Sequence, residues 1–382
     1  MGNIVDENNF HIKQFEPKYM SSLKKLINDY WNENHILLKS EKLLLWQYEG
    51  FGKLKGMHFP LLFDEDKLIG FRGVFPIELQ IPQNNSYYYE TCSVGSLFLV
   101  IPEYRGLKLG LMLQKYTAEF YKGFLAIASN LGTSAPIYKK SGYNVLSNMF
   151  RYLKPLTNEY NNLLVSSKTT LKINNAQKEE YMEFPIPFNA KEFSKIWKES
   201  TYNKGILALN KNDNFWEWRF NNSPIYDYYY FGGVGTGGLI VVRICDIYDE
   251  NRNQLKTKTL RFLEIIPEDS SVWDYSSDSR LNRLIKGVLA WGKKNSCCGA
   301  EFFTTTRRLE KTLLDSTFLE VNYNEANKNI DIISYFEPTS YAPRLTNVNY
   351  LINSSKKLDI NFDDVYFSLS DADQDRPNII SK

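Results

Sequence analysis

Apolar and polar positions along this chain switch between two periods, and the switches mark its elements. Residues 10–15 alternate as a short strand, and residues 19–31 set Met20, Leu23, Leu26 and Ile27 on one helical face. Residues 42–48 predict a second helix. Strands follow at 59–63, 68–75 and 87–100, separated by turn residues at 64–66 and 83–86. A helix from near Leu109, a strand at 124–128, a helix near 134–141 and a strand at 149–153 complete the first half. Residues 157–180 are polar with weak periodicity and read as a linker.

The order then repeats. A helix is predicted at 193–201, a short one at 214–220, strands at 226–231, 239–246 and 257–267, a helix at 281–294, a strand at 300–306, a helix at 308–314 and a strand at 330–336. Residues 214–220 (NFWEWRF) are similar to 44–48 (LLWQY). Element order thus suggests a faint duplication of about 170 residues. The tail, 345–382, holds a last strand and the acidic stretch 370–376 (SDADQDR). The expected organisation is a first domain at 1–156, a linker at 157–180, a second domain at 181–340 and a C-terminal segment at 341–382.

Composition narrows the class. A chain of 382 residues exceeds one small core, which agrees with two domains. Hydrophobic residues at 43% and charged ones at 24% suit a soluble globular protein, and 26 Tyr with 24 Phe favour strands and stacking surfaces. A net charge of +2 gives no basic face for nucleic acid. Residues 1–14 lack the apolar core of a signal peptide, and no run reaches ~18 apolar residues, so no membrane span and a cytoplasmic location are expected. Cys92, Cys245, Cys297 and Cys298 fit a reducing compartment and show no metal spacing. His11, His35 and His58 are the only histidines, which argues against zinc chemistry and a His-based triad. A monomer or weak dimer is expected.

The chemistry concentrates in residues 93–143. An apolar strand runs into the turn Pro102, Glu103, Tyr104, Arg105, Gly106, and a helix opens just after it. Backbone N–H groups fed from a strand into a helix N-terminus make an anion site. Read alone, the turn is equally a solvated, Gly-containing helix start. Two other features have plainer readings. Residues 233–238 (GVGTGG) match G-x-G-x-x-G but precede a strand, so a tight hairpin is expected. Cys297 and Cys298 read as packing at a helix end, and the tyrosine runs 87–89 and 228–230 as strand residues.

The turn R-G-L-K-L-G (Arg105 to Gly110), with Val-x-Pro-Glu-Tyr-Arg-Gly before it and IYKKSGY at 137–143 after it, resembles the pyrophosphate loop and flanks of the GNAT acyltransferases. Arg105 and Gly110 match the ends of the family's Q/R-x-x-G-x-G/A pattern, and Lys108 stands where a middle glycine is usual. The resemblance implies an α+β fold of two tandem GNAT-like domains, each a mostly antiparallel mixed sheet flanked by helices, with acyl-CoA bound by the first and no metal. It implies that Arg105, Gly106 and the amides of Leu107, Lys108, Leu109, Gly110 and Leu111 hold the pyrophosphate. Leu99 and Val100 would pair with the pantetheine arm, and Tyr138 would protonate the leaving thiolate. The family often has an asparagine seven residues before that tyrosine; here the position is Leu131, with Asn130 one residue off. A base must take the proton of the attacking amine. Residues 94–100 contain no carboxylate, which leaves Glu90 and Glu78 as candidates, or water.

Two stretches of the second half point to the acceptor. The Trp-Arg helix (Trp218, Arg219) and the terminal S-D-A-D-Q-D-R-P (with Asp373 and Arg376) are similar to those of bacterial acyltransferases of surface-polysaccharide synthesis. Some of these N-acylate dTDP-linked 3-amino-3,6-dideoxyhexoses. That resemblance implies transfer of a short acyl group, acetyl or 3-hydroxybutanoyl, to a nucleotide sugar. Two other readings stay open: a FemABX-like aminoacyltransferase, which would show a basic tRNA-binding face, and a non-catalytic glycan-binding module with a remnant loop.

Overall fold

The computed structural model describes residues 9–33, 35–127, 136, 138, 140, 144–163, 181–248, 253–321, 339–340, 349–353, 361–373 and 375. In chain order the first half contains β1 (Phe10–Gln14), α1 (Met20–Tyr30), α2 (Ile36–Lys39), α3 (Glu41–Tyr48), β2 (Pro60–Asp64), β3 (Lys67–Gln83), β4 (Ser86–Val100), α4 (Leu109–Phe120), β5 (Gly123–Ile127), β6 (Asn144–Asn148) and β7 (Phe150–Pro155). The second contains α5 (Ala190–Thr201), β8 (Leu207–Leu209), α6 (Asp213–Trp216), β9 (Tyr229–Gly233), β10 (Gly238–Tyr248), β11 (Gln254–Pro267), α7 (Ser279–Lys294), β12 (Cys297–Thr304), α8 (Glu310–Asp315) and β13 (Leu319–Glu320). Then come β14 (Thr339–Ser340), β15 (Asn349–Asn353) and β16 (Val365–Tyr366).

Local chemistry accounts for many of these boundaries. The Ser40 hydroxyl accepts from the Leu43 amide at 3.2 Å and caps α3, and Asn189 caps α5 through Glu192 in the same way. Leu23, Leu26 and Ile27 of α1 are buried, as their spacing predicts. Asn84 and Asn85 both have positive φ, the geometry that joins β3 and β4 into one long hairpin. The glycines at 233–238 close the β9–β10 hairpin, as expected. Cys297 and Cys298 do not end a helix: α7 stops at Lys294 and they open β12, where burial pushes both thiols up to about 12.

The strands form two mixed sheets flanked by helices. The first runs β1-β2-β3-β4-β5-β15-β6, with β8 also on β3 and β16 on β8. The second runs β13-β7-β12-β11-β10-β14, with β9 also on β10. The sequence halves exchange strands. β7, which follows the first half's elements, pairs with β12, and β15 from the tail enters the first sheet between β5 and β6. The strand expected at 330–336 lies outside the described residues. Trp46 of α3 and Trp218 just after α6 stack at 5.2 Å, and each indole N–H donates to the other's backbone carbonyl. That reciprocal contact joins the halves about their internal repeat. No helix among the described residues is long and apolar enough to cross a membrane.

Candidate active site

The parallel pairing of β4 with β5 ends at Val94–Leu125, while β4 continues along β3 to Val100. The two strands therefore splay. Aromatic rings approach the backbone closely at this point. A Cβ on Gly95 would lie 2.4 Å from the Phe124 ring, and one on Gly73 would lie 2.7 Å from the Tyr48 ring. Between Val74–Gly95 and Arg72–Phe98 the register slips by one residue, a bulge in β4 that re-aims Ser96 and Leu97.

Above the wedge, β4 leads into the loop before α4. Gly106 has φ +91° and a Cβ there would meet nothing, so the backbone lies open. Lys108 is the residue preceding α4 and adopts φ +60°, ψ +14°. This is the left-handed conformation for which a glycine is the easy choice, so the turn survives with a lysine in it. The amides of Leu107, Lys108, Leu109 and Gly110 have no backbone acceptor among the described residues. The amide of Leu111 donates to the Lys108 carbonyl at 2.9 Å, which removes it from the expected anion set. The Arg105 side chain is exposed and donates to the Val100 carbonyl at 3.2 Å, tying loop to strand end. Leu99 is buried in the core beneath, so this strand end offers a ligand its backbone.

Tyr138 is 3% exposed and packs on Phe124, with ring centres 5.1 Å apart. Arg72 of β3 donates to its hydroxyl at 3.3 Å. Arg72 was not foreseen. Its guanidinium lies 4.7 Å from the centre of Phe98, 4.8 Å from Phe124 and 5.4 Å from Tyr138.

One residue along from Gly95, the Ser96 hydroxyl donates to Asp373 at 2.5 Å. A hydroxyl has one proton, so in the 2.9 Å contact with Tyr48 the tyrosine is the donor, and Gln47 donates to the same oxygen at 3.1 Å. Asp373 thus lies at the bulge, carried there by the tail. With Trp46, Gln47, Phe75, Trp218, Arg219, Ala372 and Asp375 it lines a narrow indentation of about 10 Å³, room for about one water.

The other candidates fall elsewhere. Glu90 is 1% exposed and sits beside Cys92, six residues before Ser96 on β4, about 20 Å away at strand rise. Glu78 is held by Asn210 at 2.6 Å and by Lys53. The Trp218 indole N–H is spent on Trp46, and Arg219 is buried, donating to the Ser370 carbonyl, to Tyr228 and to Asp375. Both line the indentation beside Asp373. Arg376, Leu131 and Asn130 lie outside the described residues.

No protein-family model matches this chain and no curated protein matches its sequence. Solved structures do match its shape. Saccharomyces cerevisiae N-myristoyltransferase with bound myristoyl-CoA superposes with a TM-score of 0.53 at 11% identity, covering 94% of this chain and 85% of that one. A GCN5-related N-acetyltransferase from Anabaena variabilis gives 0.51 at 8% identity, covering 91% and 73%. The fold is that of the GNAT acyltransferases. Coverage of nearly the whole chain agrees with two tandem GNAT-like units.

In a GNAT fold built twice, the second splay can be found by register. Parallel pairing of β11 with β12 ends at Phe262–Phe302, and a one-residue bulge follows between Val241 and Val242 of the partner strand. Glu264 therefore takes the place of Ser96, and Leu239 that of Arg72. Here the wedge is filled by the chain itself. The Thr305 amide donates to the Phe367 carbonyl, the Tyr366 hydroxyl donates to Glu264 at 2.8 Å, and Lys211 bridges Glu264 at 2.5 Å and Asp371 at 2.6 Å. Sequence reasoning missed this plug, because an acidic tail gives no local sign of burial. It missed Ser96, Tyr48 and Gln47 as well. Arg72, a lone charge inside the apolar run FRGVF, was the one visible signal.

Proposed function

We propose that this chain is an acyl-CoA-dependent N-acyltransferase with one active site, in the first splay. The observation that carries this reading is the parting of β4 and β5 after Val94–Leu125, with loop amides that have no backbone acceptor among the described residues, Tyr138 against Phe124 of β5 and Arg72 of β3, and Asp373 on Ser96 of the β4 bulge. The loop amides of Leu107 to Gly110, with Arg105 and Lys108, would hold the pyrophosphate at the start of α4. The edge of β4 from Gly95 to Val100 would orient pantetheine and the acyl carbonyl.

Asp373 is the base in this reading, in place of Glu90. A neutral amine attacks the thioester carbonyl, the N–C bond forms, and its proton passes to Asp373 directly or through Ser96. The C–S bond breaks with its electron pair on sulfur, and the Tyr138 hydroxyl protonates the thiolate. Backbone N–H groups of the splayed strand face the oxyanion. No covalent enzyme intermediate is needed. The acyl group proposed is short, acetyl or 3-hydroxybutanoyl. The acceptor proposed is a dTDP-linked 3-amino-3,6-dideoxyhexose. The likeness of the terminal S-D-A-D-Q-D-R-P segment supports it, and that segment delivers Asp373 to the bulge.

The test is steady-state kinetics with acetyl-CoA and such a dTDP-amino sugar. Asp373→Asn should lower kcat by about 10²–10⁴-fold with little change in KM for acyl-CoA. Tyr138→Phe should likewise slow turnover more than it weakens CoA binding. An unchanged kcat in either variant removes that residue from the reaction.

A further inference from the structure

Arg72 presents an unusual account of charge. Its side chain is 1% exposed, and no carboxylate lies within 4 Å of it among the described residues. Its Nε and Nη1 atoms are buried without a hydrogen-bond partner, and its one polar contact is the Tyr138 hydroxyl. An unpaired cation in an apolar setting is costly, and three aromatic faces offset only part of that cost. The internal repeat supplies the control. At the corresponding register of the second sheet stands Leu239, fully buried against Ile266, where the splay is plugged. A leucine therefore satisfies the fold at this position, and the cation belongs to the open wedge.

We propose that Arg72 is a positioning residue for the leaving group, the fixed positive charge against which the sulfur of CoA departs. This rests on the acyl-CoA reading above. A guanidinium does not lose its proton in proteins, so Arg72 can only donate to Tyr138. The phenol keeps its own proton for the sulfur. When the C–S bond breaks, negative charge appears first on sulfur and then on the phenolate oxygen as the proton crosses. Arg72 stabilises both without reorganising. Solvent returns the proton to Tyr138, and the products are an amide and free CoA thiol. The neighbouring strands hold the arrangement, since Phe98 and Phe124 clamp the guanidinium from β4 and β5.

The experiment needs no acceptor. Calorimetry compares CoA with desulfo-CoA, which lacks the sulfur, at about pH 8.5, where a fraction of a free thiol is ionised. The wild-type protein should bind CoA at least about tenfold more tightly than desulfo-CoA. Arg72→Gln, which keeps a donor for Tyr138 but no charge, should bring CoA down to the affinity of desulfo-CoA and leave desulfo-CoA unchanged. Arg72→Lys, which keeps the charge, should retain most of the preference. Melting temperatures establish that each variant is folded, and either variant alone decides. A Gln variant with the wild-type preference, a Lys variant without it, or a wild-type protein indifferent to the sulfur overturns the proposal. Failure of the wild-type protein to bind either compound overturns the acyl-CoA reading instead.

Discussion

The two splays began as the same device and ended differently. In the first, β4 and β5 part beneath an Arg-Gly turn where the amides of Leu107 to Gly110 have no backbone acceptor among the described residues, and Ser96, Arg72 and a donated Asp373 stand beside the bulge. In the second, β11 and β12 part in the same way, but the tail threads into the gap. Val365, Tyr366, Phe367 and Leu369 are all buried there, and Glu264 is bound by Lys211, Tyr366 and Ser370. The loop that should lead onward from β11 is acidic, with Glu268, Asp269 and Asp274, and the Glu268 carboxylate itself occupies the amides of Gly235 and Gly237. Of two similar strand partings, the tail fills one and leaves the other to the proposed ligand. The same tail links the two outcomes, because the plug in the second wedge is what carries Asp373 to the first.

The strongest way to break the comparison is to unseat the plug. Lys211→Met leaves Glu264 and Asp371 buried without their shared cation, and should cost about 3–5 kcal/mol. Urea denaturation would read this as a lower midpoint, and kcat should fall with it because Asp373 loses its anchor. A variant as stable as wild type would mean that the plug is held by its apolar residues alone. The open wedge is tested by Arg105→Ala. It should raise KM for acyl-CoA roughly tenfold with kcat preserved, as loss of one charge-assisted phosphate contact would; an unaltered KM takes the loop out of the pyrophosphate site.

The smallest effect is one of pH. Burial raises the Asp371 carboxyl, Lys211 pulls it down and Glu264 raises it, and the balance leaves it at about 6. Its folded value lies above the unfolded one, near 4, so its contribution is full below about pH 4 and is lost as pH rises through about 6. Asparagine mimics the protonated acid. Asp371→Asn should therefore gain in melting temperature relative to wild type as pH rises from about 4 to about 7. A constant difference across that range would show that Asp371 titrates with its unfolded value.

Much of the open wedge was legible in the chain. The strand, the Arg105–Gly110 turn, the helix after it and Tyr138 all follow from local pattern and motif. The long strands and the helical faces of α1 and α7 follow from period alone. Pairing partners do not, since periodicity says which face of a strand is buried but not what lies beside it. So β7 was read with the first half and found in the second sheet, and β15 crosses the other way. Burial of charge was equally invisible. The resemblance of the Trp-Arg helix to surface-polysaccharide acyltransferases placed Trp218 and Arg219 at an acceptor, and no spacing showed that their polar groups also tie the two halves and the tail together. Asp373 was expected at an acceptor too, and its contact with Ser96 at the bulge is one that no spacing in the sequence could suggest.

The central claim is that one wedge is open and the other is filled. Calorimetric titration of the full chain with CoA tests it most directly. The account predicts micromolar binding with one CoA per chain, weakened roughly tenfold by Arg105→Ala. Two CoA per chain would contradict the plugged second wedge, and no binding at all would contradict the open first one.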